Sequence, residues 1–126
     1  MIDHVSITVR DLAASARFYA EALAPLGYER LRNDPTTVGF GKKYPELWLN
    51  HRPNANIDAD TGAHVCLRGR DRAAVDRFHA AALAAGGKSD GAPGLRSHYH
   101  ETYYAAFVRD PDGNRIEAVT FLQAGN

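Results

Sequence analysis

The chain repeats itself at one fixed shift. The histidine and valine at positions 4–5 return at 64–65, the arginine and aspartate at 10–11 return at 70–71, and the glycine at 27 returns at 87. Each pair has the same offset (64 − 4 = 60), so the two copies align without a gap from the first histidine to the glycine. Self-similarity at one period constrains the architecture strongly, and two copies indicate an internally duplicated domain.

Each copy begins with the pattern of a strand followed by a helix. Apolar and polar residues alternate over 2–9, which predicts a strand with one apolar face. Asp11 is a predicted helix N-cap, because its side chain can accept from the open amides of a first turn. The apolar residues that follow lie on one helical stripe: Leu12, Ala16, Tyr19 and Leu23. The pattern starts again at Ala63, with Asp71 in the place of Asp11.

Shorter alternating runs predict the remaining strands. These are residues 28–32, 36–41 and 46–50 in the first copy, and 102–109 and 114–122 in the second. Residues 88–98 are rich in Gly, Ser and Pro and are predicted to be irregular. We therefore predict an α+β fold of two βαβββ modules in one chain, with the helices outside and an open barrel-like cleft inside. The predicted single domain spans 1–126, with module 1 at 1–52, a polar linker at 53–61 and module 2 at 62–126.

Composition narrows the classes of function. Fifteen basic and 15 acidic residues give a formal net charge of zero, which argues against a nucleic-acid binder. Cys66 is the only cysteine, so the chain has no internal disulfide framework. No apolar run is long enough to span a bilayer, and the first strand starts too early to leave room for a signal peptide. We expect a cytoplasmic protein with no membrane partner.

Three residues are candidates for chemistry. His4 and His64 occupy the same position in the two duplicated strands, and Glu117 lies near the middle of the last strand. Two histidines and a carboxylate can hold a divalent metal and leave positions open for substrate and water. The alternative is structural, since a strand histidine is commonly a satisfied polar group and a strand glutamate commonly faces solvent.

Two motifs resemble a known family. The pattern HV-x-I-x-V-x-D-L that begins at residue 4, its second copy, and the segment DPDGNRIE at 110–117 resemble the vicinal oxygen chelate superfamily. That superfamily includes glyoxalase I, extradiol dioxygenases, fosfomycin-resistance transferases and bleomycin-binding proteins. The resemblance implies paired βαβββ modules that each form half a barrel. It also implies that His4, His64 and Glu117 hold a divalent metal such as Zn, Ni, Mn or Fe.

The first module departs from the glyoxalase I pattern. That pattern supplies a fourth protein ligand from the last strand of the first module, where this chain has Trp48, with Glu46 or Asn50 one pleat away. Tryptophan does not bind metal. A site with three protein ligands resembles those of the dioxygenase or fosfomycin-resistance branches. Resemblance to the bleomycin-binding branch would instead imply that this protein binds no metal.

A cluster of polar and aromatic residues at 95–104 is a second candidate feature. His100 and Tyr103 are predicted as the proton donor or acceptor beside the metal. The predicted substrate-binding residues are Trp48, Arg96, His98 and Tyr104, with Arg96 suited to a carboxylate or phosphate. His98 and His100 are predicted to share one strand face. The alternative is a surface loop whose tyrosines cover the end of the barrel.

Two hypotheses of function follow. The first is a small metal-dependent enzyme, a glyoxalase-like lyase or isomerase or an extradiol-type dioxygenase, whose small oxygenated substrate chelates the metal. The second is a binding protein without catalysis, in which Trp48 and the tyrosines form a cleft for a planar drug-like ligand. In either case the chain is expected to pair as a homodimer, and the cleft lies within one chain or between two.

Overall fold

The duplicated segments fold into the same elements in the same order. The computed structural model describes residues 1–58 and 61–123, so residues 59 and 60 of the predicted linker and 124–126 of the second module lie outside the described residues. The first half contains β1 (Val5–Val9), α1 (Leu12–Leu23), β2 (Glu29–Asn33), β3 (Thr37–Gly41) and β4 (Pro45–His51). The second half contains β5 (Val65–Arg68), α2 (Arg72–Ala84), β6 (Lys88–Leu95), β7 (Tyr103–Arg109) and β8 (Arg115–Phe121).

The strands form two open four-stranded sheets. Their orders are β1-β4-β3-β2 and β5-β8-β7-β6. β1 is parallel to β4 and β5 is parallel to β8, and the other neighbours are antiparallel. Neither sheet closes on itself, so β1 and β5 are both edge strands. The predicted α+β fold of two βαβββ modules is confirmed.

Helix ends lie where the side chains predict them. Asp11 accepts a hydrogen bond from the backbone N–H of Ala14 at 3.0 Å, and Asp71 accepts the equivalent bond from Ala74 at 2.8 Å. Each bond satisfies an amide that has no partner inside the helix. A 3-10 turn at Ala24–Leu26 follows α1 and ends at Gly27, whose φ of 86° suits a residue without a Cβ. No helix in the described part of the chain is long and apolar enough to cross a membrane.

The apolar strand faces and the two helices form one core. Leu47 and Leu49 on β4 and Ile116 and Ala118 on β8 are buried, while the intervening residues face the other side of each sheet. The helices also pack against each other. Each fully buried large apolar side chain contributes about 1.5–3 kcal/mol relative to an exposed one. The polar strand faces are left free to form a site.

Residues 88–98 differ from their prediction. Residues 88–95 form β6, paired with β7, while the rest of the segment leaves the sheet. The pairing skips residues between Ser89 and Gly91 and again between Gly91 and Gly94. An edge strand tolerates proline and bulges because one of its sides makes no ladder bonds. Pairing with β7 therefore outweighs the poor strand propensity of this sequence.

The 110–114 turn (Asp110–Asn114) connects the two modules. Tyr19 on α1 donates from its hydroxyl to Asp110 Oδ2 at 2.7 Å, and Asn114 Nδ2 donates to the carbonyl of Thr8 at 2.8 Å. Asp112 accepts from Ser15 Oγ at 3.4 Å. The most recognisable motif of the sequence therefore holds module 2 against module 1.

Candidate active site

The strand register shows which residues of the two modules are equivalent. Cys66 on β5 pairs with Glu117 on β8, and Ser6 on β1 pairs with Trp48 on β4. Cys66 and Ser6 are related by the repeat (66 − 6 = 60), so Trp48 occupies the position of Glu117, as predicted from the sequence. The module 1 sheet thus has an aromatic ring where the module 2 sheet has a carboxylate.

Glu46, which lies one pleat from Trp48 on β4, already has a partner. Tyr28 donates from its hydroxyl to Glu46 Oε2 at 3.0 Å. Burial, together with this bond, raises the pKa of Tyr28 to about 12. The Trp48 ring packs against Gly39, where a Cβ would lie 3.0 Å from Trp48 Cζ3. In the structure, therefore, Glu46 is engaged with Tyr28 beside an aromatic surface.

Glu117 is the centre of the polar group on the second sheet. It is only 2% exposed, and burial of a carboxylate is costly unless each oxygen finds a partner. His64 Nε2 lies 2.9 Å from Oε1, and the Tyr103 hydroxyl donates a short hydrogen bond to Oε2. The structure thus brings together three predicted residues: His64, Tyr103 and Glu117.

Cys66 lies on the same sheet face as His64 and Glu117. Partial desolvation and the charge of the Glu117 carboxylate raise the pKa of the Cys66 thiol to about 12. The side chain therefore stays a neutral thiol at ordinary pH and is a poor nucleophile. The alternation of β5 signalled this position in the sequence, but it did not show that the thiol would be near a buried carboxylate.

His4 is not part of this group within one chain. It precedes β1, and its Nδ1 lies 2.7 Å from Asp3 Oδ1 on the surface. Among the described residues of a single chain, no three His, Cys, Asp or Glu side chains are arranged to hold a metal. His64 and Glu117 are suitable donors for a divalent ion. They are two donors, however, where a stable site needs at least three.

The prediction that His98 and His100 share a strand face is wrong. Both lie in a turn at 96–102 that joins β6 to β7. Its backbone is closed by bonds from the N–H of Tyr99 and of His100 to the carbonyl of Arg96, at 2.9 and 3.3 Å. The His98 ring contacts Tyr99, with centroids 4.2 Å apart, and His100 Nδ1 lies 3.0 Å from Thr102 Oγ1. The two histidines therefore contact different residues and do not form a pair.

Tyr103 and Tyr104 lie on opposite faces of β7, because successive strand residues alternate. Tyr103 binds Glu117, whereas the Tyr104 hydroxyl donates to Asp76 Oδ1 on α2 at 2.5 Å. The guanidinium of Arg72 lies 4.7 Å from the centre of the Tyr104 ring. The predicted place of Tyr104 in the cleft is thus corrected: this residue fastens α2 to the sheet.

Aromatic rings surround the polar group. The rings of Tyr99 and Phe121 make edge contacts with Tyr103, at centroid distances of 5.2 and 5.4 Å. Phe107 lies 6.4 Å from the His64 ring, and the guanidinium of Arg96 lies 5.3 Å above Phe107. The sequence analysis did not include Phe107 or Phe121 in the site. An even spacing could have found them, because Phe107 shares a face of β7 with Tyr103 and Phe121 shares a face of β8 with Glu117.

Comparison with known proteins agrees with the fold. Residues 1–118 match the family model described as the Glyoxalase/Bleomycin resistance protein/Dioxygenase superfamily. A crystal structure of a glyoxalase/bleomycin resistance protein from Albidiferax ferrireducens has 29% sequence identity and a TM-score of 0.79, covering 93% of this chain and 95% of that one.

Two further solved structures share the fold at lower identity. One is a glyoxalase/bleomycin resistance protein/dioxygenase family enzyme from Burkholderia phytofirmans, with 21% identity, a TM-score of 0.72 and coverage of 96% of this chain and 98% of that one. The other is a glyoxalase-related enzyme from Fulvimarina pelagi, with 21% identity, a TM-score of 0.72 and coverage of 94% and 86%.

Proposed function

Because the chain belongs to the Glyoxalase/Bleomycin resistance protein/Dioxygenase superfamily, we propose that it is a small metal-dependent enzyme acting on a small oxygenated metabolite. The observation that supports this most is the buried Glu117 carboxylate between His64 and Tyr103. A buried carboxylate is costly unless it is paired or coordinates a metal, and this one faces a histidine. The proposed location is the cytoplasm, where a chain with one cysteine needs no oxidising environment.

The proposed ligands of the divalent ion are His64 Nε2 and Glu117 Oε1, which face each other at 2.9 Å. Imidazole and carboxylate together suit Zn, Ni, Mn or Fe. When bound, the ion would supply Lewis-acid polarisation of the substrate oxygens that chelate it. The Tyr103 hydroxyl, bonded to the other oxygen of Glu117, would hold this ligand in one orientation.

The proposed third ligand is His4 of the partner subunit in a homodimer. Three observations support it. His4 is exposed, and the described residues of one chain supply no third donor. In addition, β1 and β5 are both edge strands, and unpaired backbone groups on an edge favour pairing with another chain. A dimer of this kind sets module 1 of one subunit against module 2 of the other.

Tyr103 and His100 are the proposed proton donor or acceptor in the reaction. Burial and the hydrogen bond to Glu117 raise the pKa of Tyr103, so its hydroxyl stays protonated at neutral pH and serves as a donor. His100 lies beside the same aromatic group, with its ring 6.1 Å from Phe121. Trp48, Arg96 and His98 are the proposed substrate contacts. These roles are compatible with a lyase, an isomerase or a dioxygenase and do not distinguish between them.

Metal analysis of protein purified without chelators tests this proposal. The wild type should carry about one divalent ion per chain, and His4→Ala, His64→Ala and Glu117→Gln should each lose it. His51→Ala, a histidine at the end of β4, is the matched control and should keep the ion. A wild type that folds without metal and resists reconstitution would rule out the enzyme.

Mixing two inactive variants tests the shared site. His4→Ala and His64→Ala, unfolded and refolded together, should recover about a quarter of the wild-type metal, because half of the dimers are mixed and each has one intact site. A site within one chain would recover none, since every site would still lack one histidine. That result would refute the partner ligand while leaving a metal site possible.

The alternative is a binding protein without catalysis, as the bleomycin-resistance part of the family description suggests. The edge contacts among Tyr99, Tyr103 and Phe121 favour it, because they line the Glu117 face with aromatic surface. Such a protein would hold a planar ligand with the metal absent. Trp48 fluorescence during titration with planar aromatic compounds, after chelator treatment, measures this activity directly.

A further inference from the structure

The sheet face that carries Glu117 also carries two guanidinium groups that make no ion pair with any described residue. Arg68 on β5 lies over the Phe121 ring, with its Cζ 4.8 Å from the centroid, and Arg96 lies over Phe107. The other two arginines of this face, Arg109 and Arg115, share the Asp90 carboxylate at 3.5 and 3.8 Å. The face therefore presents uncompensated positive charge although the whole chain is neutral.

Both guanidinium groups connect to Glu117 through aromatic rings. On one side Arg68 contacts Phe121, and the Phe121 ring lies 5.4 Å from that of Tyr103, which binds Glu117. On the other side Arg96 contacts Phe107, next to His64, which also binds Glu117. Two cations therefore flank the proposed site, each one ring away from a partner of the carboxylate.

The two arginines differ in what they can still bind. Arg96 donates from Nη1 to the carbonyl of Gly94 at 2.9 Å and from Nη2 to that of Ala92 at 2.8 Å. Its charge remains, but both terminal nitrogens are engaged. Arg68 makes no hydrogen bond from its guanidinium to any described residue and is held only by the Phe121 ring. A free, planar fork of this kind matches a carboxylate with two parallel bonds.

The position of Arg68 suits a molecule that also reaches Glu117. Arg68 follows Cys66 by two residues, so it shares the sheet face of Cys66 about 7 Å further along β5. Cys66 itself is paired with Glu117. A molecule of a few carbon atoms spans this distance.

We propose that the substrate of this site is an organic carboxylate and that Arg68 binds the carboxylate group, while the charge of Arg96 assists its attraction. The inference rests on the site of the proposed function, but it does not need the metal. Arg68 is exposed and is a specificity-determining residue, since a carboxylate can form two parallel bonds to its guanidinium and a neutral analogue cannot.

Titration of the full chain with benzoate and with benzamide tests this inference. The two probes share a ring and differ in charge, and binding is followed by backbone amide NMR shifts of protein that has been treated with chelator and then dialysed to remove it. Benzoate should bind about tenfold or more tightly than benzamide, with the largest shifts at Cys66, Arg68 and Phe121. Arg68→Gln should abolish the preference, and Arg68→Lys, which keeps the charge, should restore part of it.

Arg17→Gln is the matched control, because Arg17 is exposed on α1, and it should leave the preference unchanged. An equal response to both probes, including no response to either, would overturn the inference, as would a preference that survives Arg68→Gln. Spectra of each variant verify that it is folded. Because the titration is done on metal-free protein, it tests this inference apart from the metal. A wild type that carries no metal when purified without chelators but still prefers benzoate would refute the metal-dependent function and leave this inference standing.

Discussion

Replacing Tyr19 by phenylalanine tests how the two modules are held together. The Tyr19 hydroxyl is fully buried and donates to Asp110 Oδ2 at 2.7 Å. Phenylalanine fits the same space, so the change removes one hydrogen bond to a carboxylate and leaves the packing intact. Such bonds contribute about 1.5–3 kcal/mol. We expect a loss of about 2 kcal/mol in the free energy of unfolding and a fall of roughly 4–10 °C in Tm for a chain of this size.

The assay is urea unfolding followed by circular dichroism, with thermal melts as a second measurement. Tyr99→Phe is the control, since Tyr99 is 61% exposed and its side chain makes only ring contacts among the described residues. It should stay within about 0.5 kcal/mol of the wild type. Asn114 Nδ2 also donates to Asp110 Oδ2, at 2.9 Å, so Tyr19→Phe and Asn114→Ala should combine non-additively. A Tyr19→Phe protein as stable as Tyr99→Phe would refute the role of this bond.

Three further measurements test other features. Burial raises the pKa of Asp110 above its ordinary 3.8, so the folded state binds this proton more tightly than the unfolded state. Its contribution is full below the ordinary value and is lost as pH rises through the raised one. Urea unfolding should therefore show the stability of the wild type falling relative to Asp110→Asn as the pH rises above about 4, and a constant difference would contradict this. Gly87→Ala should cost about 1–3 kcal/mol in thermal melts, because its Cβ would lie 2.7 Å from Phe18 Cε1 and 2.8 Å from the Arg109 carbonyl. Tyr103→Phe should weaken metal binding about 10–100-fold in competition titrations while the fold is kept, and unchanged affinity would mean that Tyr103 does not orient Glu117.

Local patterns were sufficient for both helices and for most of the strands. Asp11 and Asp71 cap their helices as predicted because a cap depends on residues within one turn. Trp48 occupies the position of Glu117 because Ser6 and Cys66 are equivalent in the gapless part of the repeat, and each pairs with the last strand of its own module. The caps depend on short-range sequence alone, whereas this equivalence also needs the pairing of the first and last strands.

Predictions from local patterns were wrong where pairing with a strand distant in sequence determined the structure. Residues 88–95 have the composition of a loop, and pairing with β7 makes them a strand. His98 and His100 then fall in the turn beyond that strand, on no common face. Tyr104 carries the same chemistry as Tyr103, but β7 sends its side chain to the helix side, where Asp76 binds it.

The sequence by itself determined that the chain is a duplicated α+β domain and that His64 and Glu117 are suitable metal donors. Only the tertiary structure decided that Tyr103 and His64 take the two oxygens of Glu117, and that the 110–114 turn fastens the modules. Gly27 and Gly87 show the reason. They are equivalent in the repeat, yet Gly27 is required for a positive φ and Gly87 for close contact with Phe18 and Arg109. The repeat sets local conformation, whereas partners far along the chain are set by how the sheets and helices pack.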